Sequence, residues 1–191
     1  MIRTVLFDLD GTLADTAPDL AQALNTLLAE ESRASLPLAR IRPVVSHGSP
    51  GLLRLGFDLT PHDPSFARLR ERLLTIYAAN LCRATRLFSG IAELLIELRR
   101  RGLNWGIVTN KPAFLTEPLV AQLPLPCAPA CIVSGDTATN RKPHPEPMLL
   151  ACTRAGSLPY QCLYVGDAER DIAAGRQAGM KTLVALFGYI E

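Results

Sequence analysis

The sequence predicts an α/β protein: a mostly parallel sheet core with helices on both faces and a small helical cap inserted after the first strand. Two patterns carry this prediction. Beyond residue 88, short apolar runs alternate with amphipathic helical stretches, which implies right-handed crossovers between parallel strands. Between residues 16 and 87 the pattern is helical and strandless, so one block interrupts the alternation just after it begins. The core therefore reads as residues 1–15 with 88–191, and the cap as residues 16–87.

Taken in order, Thr4 to Leu9 is a short apolar strand ending abruptly at Asp10-Gly11. Asp19 to Glu31 is a helix with Leu20, Ala23, Leu24, Leu27 and Leu28 on one face. Ser32 to Gly56 holds three prolines and three glycines among arginines and is expected to be choppy. A second cap helix covers Ser65 to Ala84, striped by Leu69, Leu73, Ile76 and Tyr77. Ser89-Gly90 breaks the chain before a helix over Ile91 to Arg101, which has a basic last turn and Gly102 as its stop. Strands then fall at Trp105–Thr109, Ala130–Ser134, Cys162–Gly166 and Thr182–Leu186. Helices fall at Leu115–Leu123, Glu146–Ala155 and Arg170–Ala178.

The 191 residues can bury one full core and a small satellite unit. Hydrophobic residues at 48% and charged residues at 20% are ordinary for a soluble chain, and a net charge of +2 offers no global field for nucleic acid or a membrane surface. The opening MIRTVLFDLDG is too short an apolar run for a signal peptide. No stretch approaches the roughly 20 residues that span a bilayer. Five cysteines without CxxC spacing fit reduced thiols, and Cys127 and Cys131 lack the partners a metal site needs. A cytoplasmic monomer or homodimer is expected, with no nucleic-acid or membrane partner. Residues 16–87 hold nine Arg against six Asp/Glu, whereas the remainder holds eleven basic and twelve acidic residues. A basic cap over an acidic core suits a phosphorylated substrate, and a solvated surface explains the charges equally well.

Four short stretches fall at the C-terminal ends of predicted strands, where open α/β sheets place their ligands. They are Asp8-Leu9-Asp10-Gly11-Thr12, Thr109-Asn110, Lys142-Pro143, and Gly166-Asp167 with Asp171. Each alone has an ordinary reading: strand-end turns for the aspartates, a helix N-cap for Thr109-Asn110, a surface charge for Lys142. Their shared sheet edge is what counts. Several carboxylates gathered there repel unless a cation neutralises them, and Mg²⁺ takes one or two carboxylates, several waters and a phosphate. Asp8 can attack phosphorus, giving an aspartyl-phosphate that splits one displacement into two easier steps. Asp10 points to the same side of the strand and can protonate the leaving oxygen, then deprotonate water. Thr109 and Lys142 can stabilise the phosphoryl oxygens. Gly11, Thr12 and Asn110 are the further phosphate-binding candidates of the core, Gly11 because it lets the backbone turn tightly.

DLDGTLADT, VTNK, RKPHPEP and VGDAERD resemble, in order, the four signature motifs of the haloacid dehalogenase (HAD) superfamily, over essentially the whole chain. The resemblance implies a Rossmann-like core, Mg²⁺ as cofactor and a helical cap that closes over a small phosphorylated metabolite. By the same resemblance, Asp8 is the nucleophile and a metal ligand, and Asp10 the acid/base whose carbonyl also meets the metal. Thr109 and Lys142 bind phosphate, Asp167 is a direct metal ligand, and Asp171 belongs to the acidic surroundings of the metal. Within the superfamily the chain is similar to the phosphoglycolate phosphatase group. WGIVTNKP, TEPLVAQL, KPHPEPMLLAC and RDIAAGRQAG look most like bacterial N-acetylmuramic acid 6-phosphate phosphatases. The family usually continues past Thr182–Leu186 with another strand and a closing helix, whereas this sequence stops at Gly188-Tyr189-Ile190-Glu191. A less covered sheet edge with exposed apolar surface is expected there.

Substrate choice is expected in the cap, where Ser46-His47-Gly48-Ser49 and Arg54 could reach over a phosphate. A Gly/Pro-rich stretch is also the ordinary composition of a turn. His62 and His144 sit in Pro-flanked turns and read as structural, as does Trp105 in its strand. A haloacid dehalogenase would need neither Asp10 nor Asp167. A β-phosphoglucomutase-like transferase would keep all four motifs and require a bisphosphate activator. A phosphoryl-accepting module shares the acidic cluster, Thr and Lys, but not a DxDGT loop followed by a large cap. An inactive binding relative is expected to lose Asp8 or Asp10.

Overall fold

The computed structural model describes residues 1–189; Ile190 and Glu191, the last two of the stretch Gly188-Tyr189-Ile190-Glu191, lie outside them. The chain divides into two compact units, residues 1–14 with 87–188, and residues 15–86 with Tyr189.

In the first unit, five parallel strands form a sheet: β1 (Thr4–Phe7), β4 (Asn104–Val108), β5 (Cys131–Val133), β6 (Cys162–Gly166) and β7 (Lys181–Val184). Their spatial order is β5-β4-β1-β6-β7, with the first strand in the centre. Phe7 lies opposite Ile107 on one side and Val165 on the other. A central strand covered on both faces has no solvent side, and all four residues of β1 are buried. On one face Leu6 joins Val108, Val133, Met148 and Tyr164 in the core. Phe7 points the other way and meets Trp105 edge-on, ring centroids 6.5 Å apart. Between the strands run α5 (Ile91–Arg100), α6 (Ala113–Gln122), α7 (Glu146–Arg154) and α8 (Glu169–Gln177), as the alternating pattern required, with α5, α7 and α8 packed on the sheet. β7 ends the sheet, and Leu183, Val184, Leu186 and Phe187 around it are exposed. Two short strands, β2 (Ala14–Asp15) and β3 (Arg86–Leu87), form a separate two-stranded sheet that the periodicity did not reveal. Two residues are too few to establish an alternation.

The second unit is helical: α1 (Ala17–Glu30), α2 (Leu38–Ile41), a 3₁₀ helix over Arg42–His47, α3 (Gly48–Phe57) and α4 (Phe66–Ala78). The stretch expected to be choppy is thus mostly helix. Pro43 and Pro50 fall in first turns, where a missing N–H leaves nothing unsatisfied. Conversely, α4 stops at Ala78, short of the expected Ala84. Several of its arginines are engaged at the surface. Arg68 pairs with Glu31 and Arg72 with Glu30, while Arg33 lies over the Phe57 ring at 4.9 Å.

Two buried polar devices hold this unit together. Asp19 of α1, 4% exposed, accepts from the amides of Ala84 and Thr85 (2.8 and 2.9 Å) and from the Thr85 hydroxyl (2.7 Å). The Tyr189 hydroxyl accepts from the amides of Thr16 and Ala17, at the start of α1, and donates to Asp15 (2.8 Å). Arg42 closes that group with a 2.7 Å bond to the other Asp15 oxygen.

The Asp19→Ala variant leaves the two buried donors of Thr85 and the part-buried amide of Ala84 without their acceptor and is expected to lose about 3 kcal/mol of stability. Urea unfolding monitored by circular dichroism checks it. A loss below about 0.5 kcal/mol, the range of an ordinary surface change, would contradict this role.

Candidate active site

The C-terminal ends of β1, β4 and β6 lie side by side, and each delivers its polar residues to the same edge. Asp8 follows β1 directly and is 3% exposed; its amide donates to the carbonyl of Val165, which fixes where the side chain starts. Asp167 follows β6 and is 6% exposed. Asp171 is the third residue of α8 and is fully buried. Its Oδ2 accepts from the Ala168 amide at 3.0 Å, capping the helix that carries it. Carboxylate oxygens of Asp8, Asp167 and Asp171 all lie within 4.8 Å of one another. Gly166 makes room for this crowding: a Cβ there would sit 2.4 Å from Cβ of Asp171.

Lys142 answers part of the charge. Its ammonium, on a side chain 1% exposed, lies 2.9 Å from Asp8 and 2.7 Å from Asp171. It also donates to the carbonyl of Val108 (2.9 Å) and to the Tyr164 hydroxyl (2.7 Å), which itself donates to Val108. Three carboxylates face Lys142, with Arg170 near enough to pull on Asp8 as well, and a surplus of negative charge remains. Burial pushes the Asp8 carboxyl up to about 7 from its ordinary 3.8; Lys142 pulls it down and Asp171 pushes it up again. Burial likewise raises the Tyr164 phenol well above its usual range, so it stays a neutral donor. The donor set fits a hard divalent cation. Oxygen ligands from Asp8, Asp167 and Asp171 would hold Mg²⁺, and its charge would offset the surplus.

Thr109, 3% exposed, follows β4, and its hydroxyl accepts from the Lys111 amide. Asn110 stands where a phosphate contact was expected, but its carboxamide clasps the backbone of Lys142. Its Nδ2 donates to the Lys142 carbonyl (2.9 Å) and its Oδ1 accepts the Lys142 amide (3.0 Å). Gly11 adopts φ 86°, in the left-handed region, and its amide donates to Ala14. Thr12 is fully buried, and its hydroxyl has no hydrogen-bond partner among the described residues. The Asp10 carboxylate is outside the three-carboxylate cluster and is paired with Lys111 at 2.6 Å. His47 and Arg54 belong to the helical unit, where with Pro50, Leu55 and Asp58 they line a pocket of about 650 Å³. His144 lies in the other unit, exposed beside Glu146.

Two residues with evident work at this edge escaped the sequence reading. Tyr164 is an aromatic in an apolar strand and carries no polar signal in one dimension. Lys111 follows Thr109-Asn110 immediately, and its place one step beyond a strand end was a signal that could have found it.

A family model for haloacid dehalogenase-like hydrolases matches residues 5–185, so the chain belongs to that family. It is 46% identical to the phosphoglycolate phosphatase of Xanthomonas campestris pv. campestris over 98% of this chain and 84% of that one. It is 40% identical to the N-acetylmuramic acid 6-phosphate phosphatase of Pseudomonas putida, over 100% of this chain and 85% of that one. A crystal structure of a predicted phosphoglycolate phosphatase from Haemophilus somnus superposes with a TM-score of 0.86 at 28% identity, covering 99% and 87% of the two chains. The chain is therefore a Mg²⁺-dependent phosphomonoesterase of the phosphoglycolate-phosphatase-like group, acting on a small phosphorylated metabolite. Among the described residues no helix is long and apolar enough to cross a membrane.

The raised Asp8 carboxyl has a consequence for stability. Its contribution is fully present below about pH 3.8 and is lost as pH rises through about 7, on the order of 4 kcal/mol over that window. In metal-free buffer, Asp8→Asn is expected to melt higher than the wild type by a margin that widens from pH 5 to 8. Thermal melts in chelator check this, and parallel profiles for the two proteins would contradict it.

Proposed function

We propose that Asp8 is the nucleophile, Asp10 the general acid and base, and Thr109 and Lys142 the groups that hold the transferred phosphoryl oxygens. The observation that supports this best is the convergence of Asp8, Asp167 and Asp171 at the sheet edge, with the Lys142 ammonium between Asp8 and Asp171 and with Asp10 two residues beyond Asp8. An oxygen of Asp8 attacks phosphorus and the ester P–O bond breaks, while protonated Asp10 gives its proton to the leaving oxygen. Water then attacks the aspartyl-phosphate, Asp10 takes the water's proton, and the bond from phosphorus to Asp8 breaks to release phosphate. Bound Mg²⁺ supplies positive charge against the phosphoryl oxygens. Lys142 is immobilised by four neighbours and so presents its charge without reorganisation. Asn110 acts through it by fixing its backbone.

The substrates named for the two curated relatives, 2-phosphoglycolate and N-acetylmuramic acid 6-phosphate, are the candidates here. Each carries a carboxylate besides its phosphate. A cytoplasmic setting accompanies this reading, supported by five cysteines without a disulfide.

Phosphate release from both candidates, with Mg²⁺ and compared as kcat/KM, tests the reading. The preferred one is expected to lead by at least about a hundredfold, about 2.7 kcal/mol of transition-state discrimination. No bisphosphate activator should be needed, in contrast to a mutase. Asp8→Asn should abolish turnover, and full activity in that variant would overturn the covalent route.

A further inference from the structure

Gly188 lies where no side chain fits. A Cβ at this position would stand 2.2 Å from Cβ of Asp167, 2.8 Å from its Oδ2, and 2.7 Å from the carbonyl oxygen of Gly11. Carbon atoms in contact sit about 3.5–4.0 Å apart, so such a methyl would overlap Asp167 by more than about 1 Å. Neither wall yields easily: Cβ of Asp167 is anchored to backbone at the end of β6, and the Gly11 carbonyl is itself backbone. The chain arrives there under constraint. The Ala185 amide continues the β7 ladder by donating to the Gly166 carbonyl (2.8 Å). The Gly188 amide donates back to the Ala185 carbonyl (3.0 Å), which closes a four-residue turn. In that turn the Phe187 ring meets the Phe88 ring, centroids 5.0 Å apart, and the Phe88 amide donates to the Leu13 carbonyl. Gly188 is thus pressed between the loop after β1 and the residue after β6, the two segments that carry Asp8 and Asp167.

Resting on the reading of Asp167 as a metal ligand, we infer that the bare Cα of Gly188 positions the Asp167 carboxylate and thereby makes the site selective for Mg²⁺ over a larger cation. Any group added at 188 meets Asp167 at both Cβ and Oδ2, so it must push or turn that carboxylate. Oxygens of Asp8 and Asp171 lie within 4.8 Å of one of its oxygens, but their places are set separately. Asp8 is fixed by the bond from its amide to Val165, and Asp171 by the Ala168 amide and Lys142. A shift of Asp167 therefore changes the shape of the donor set instead of moving it as a whole. Mg²⁺ is strict about shape. It holds oxygens at about 2.0–2.1 Å in a near-ideal octahedron, whereas Ca²⁺ accepts about 2.3–2.6 Å and flexible geometry. The penalty of a displaced ligand falls harder on Mg²⁺.

The test titrates metal-free wild type, Gly188→Ala, Phe187→Ala and Asp167→Gly with Mg²⁺ or Ca²⁺ alone. Each Kd is taken from the rise in melting temperature with cation concentration. Gly188→Ala should weaken Mg²⁺ binding by about tenfold or more, the range for groups that orient a ligand, and Ca²⁺ binding by less than about threefold. Phe187→Ala loosens the same turn but adds no atom toward Asp167, so it should melt lower and keep the wild-type ratio of the two Kd values. An unchanged ratio in Gly188→Ala, or an equal change in Phe187→Ala, would overturn the inference. Should Gly188→Ala not fold, the double variant with Asp167→Gly vacates the crowded space and is expected to fold, which would sustain the inference. Failure of both to fold would place the need for glycine elsewhere and sink it. Asp167→Gly alone should bind Mg²⁺ more weakly than wild type by at least as much as Gly188→Ala. If it binds as wild type does, the ligand reading fails and the inference with it. A weakened Asp167→Gly beside an unchanged ratio in Gly188→Ala removes the inference and leaves the ligand reading standing.

Discussion

The Lys142 ammonium, enclosed between Asp8 and Asp171, is the interaction on which the rest of the site depends. A lysine this deep is costly unless its charge is met and its hydrogens are bonded. Tyr164 and the Val108 carbonyl complete the donor pattern, and Asn110 secures the backbone from which the side chain extends. In return the ammonium permits two carboxylates to be buried within a few ångströms of each other. Remove it, and the acidic cluster has nothing of the chain's own at its centre.

This constraint explains why the polar residues are spread over four separate segments. A single loop could not bury four charged groups and keep their geometry, because its own backbone would need partners. The parallel sheet satisfies that backbone internally and ends its strands in register. Asp8, Thr109 and Asp167 are each the first residue after a strand and are held by the ladder behind them. The amides of Asp8 and Thr109 still bond across to the neighbouring strand, so the Asp8 carboxyl and the Thr109 hydroxyl sit on a rigid base.

The helical unit follows a different logic. Its apolar stripes were plain in α1 and α4, but polar groups decide how its ends are tied. Asp19 joins the start of α1 to residues 84 and 85, more than sixty positions away, and Tyr189 reaches α1 from the far end of the chain. Such bonds have no period and leave no trace in a local window. The three prolines between residues 32 and 56 read as interruptions, although two of them begin helices.

By itself the sequence determined the strand–helix alternation, the inserted helical block and the order of the acidic, hydroxyl and lysine motifs. Hydrophobic periodicity and strand-end chemistry are local properties, and they survive in one dimension. Only the tertiary structure decided the partners. It set Asn110 on the backbone of Lys142, Lys111 on Asp10, Tyr164 beneath the lysine, and the Lys142 ammonium against both Asp8 and Asp171. Those pairings join residues from 22 to 134 positions apart. They depend on which strands lie side by side and on which charges cannot be buried alone, and no stretch of sequence holds that information locally.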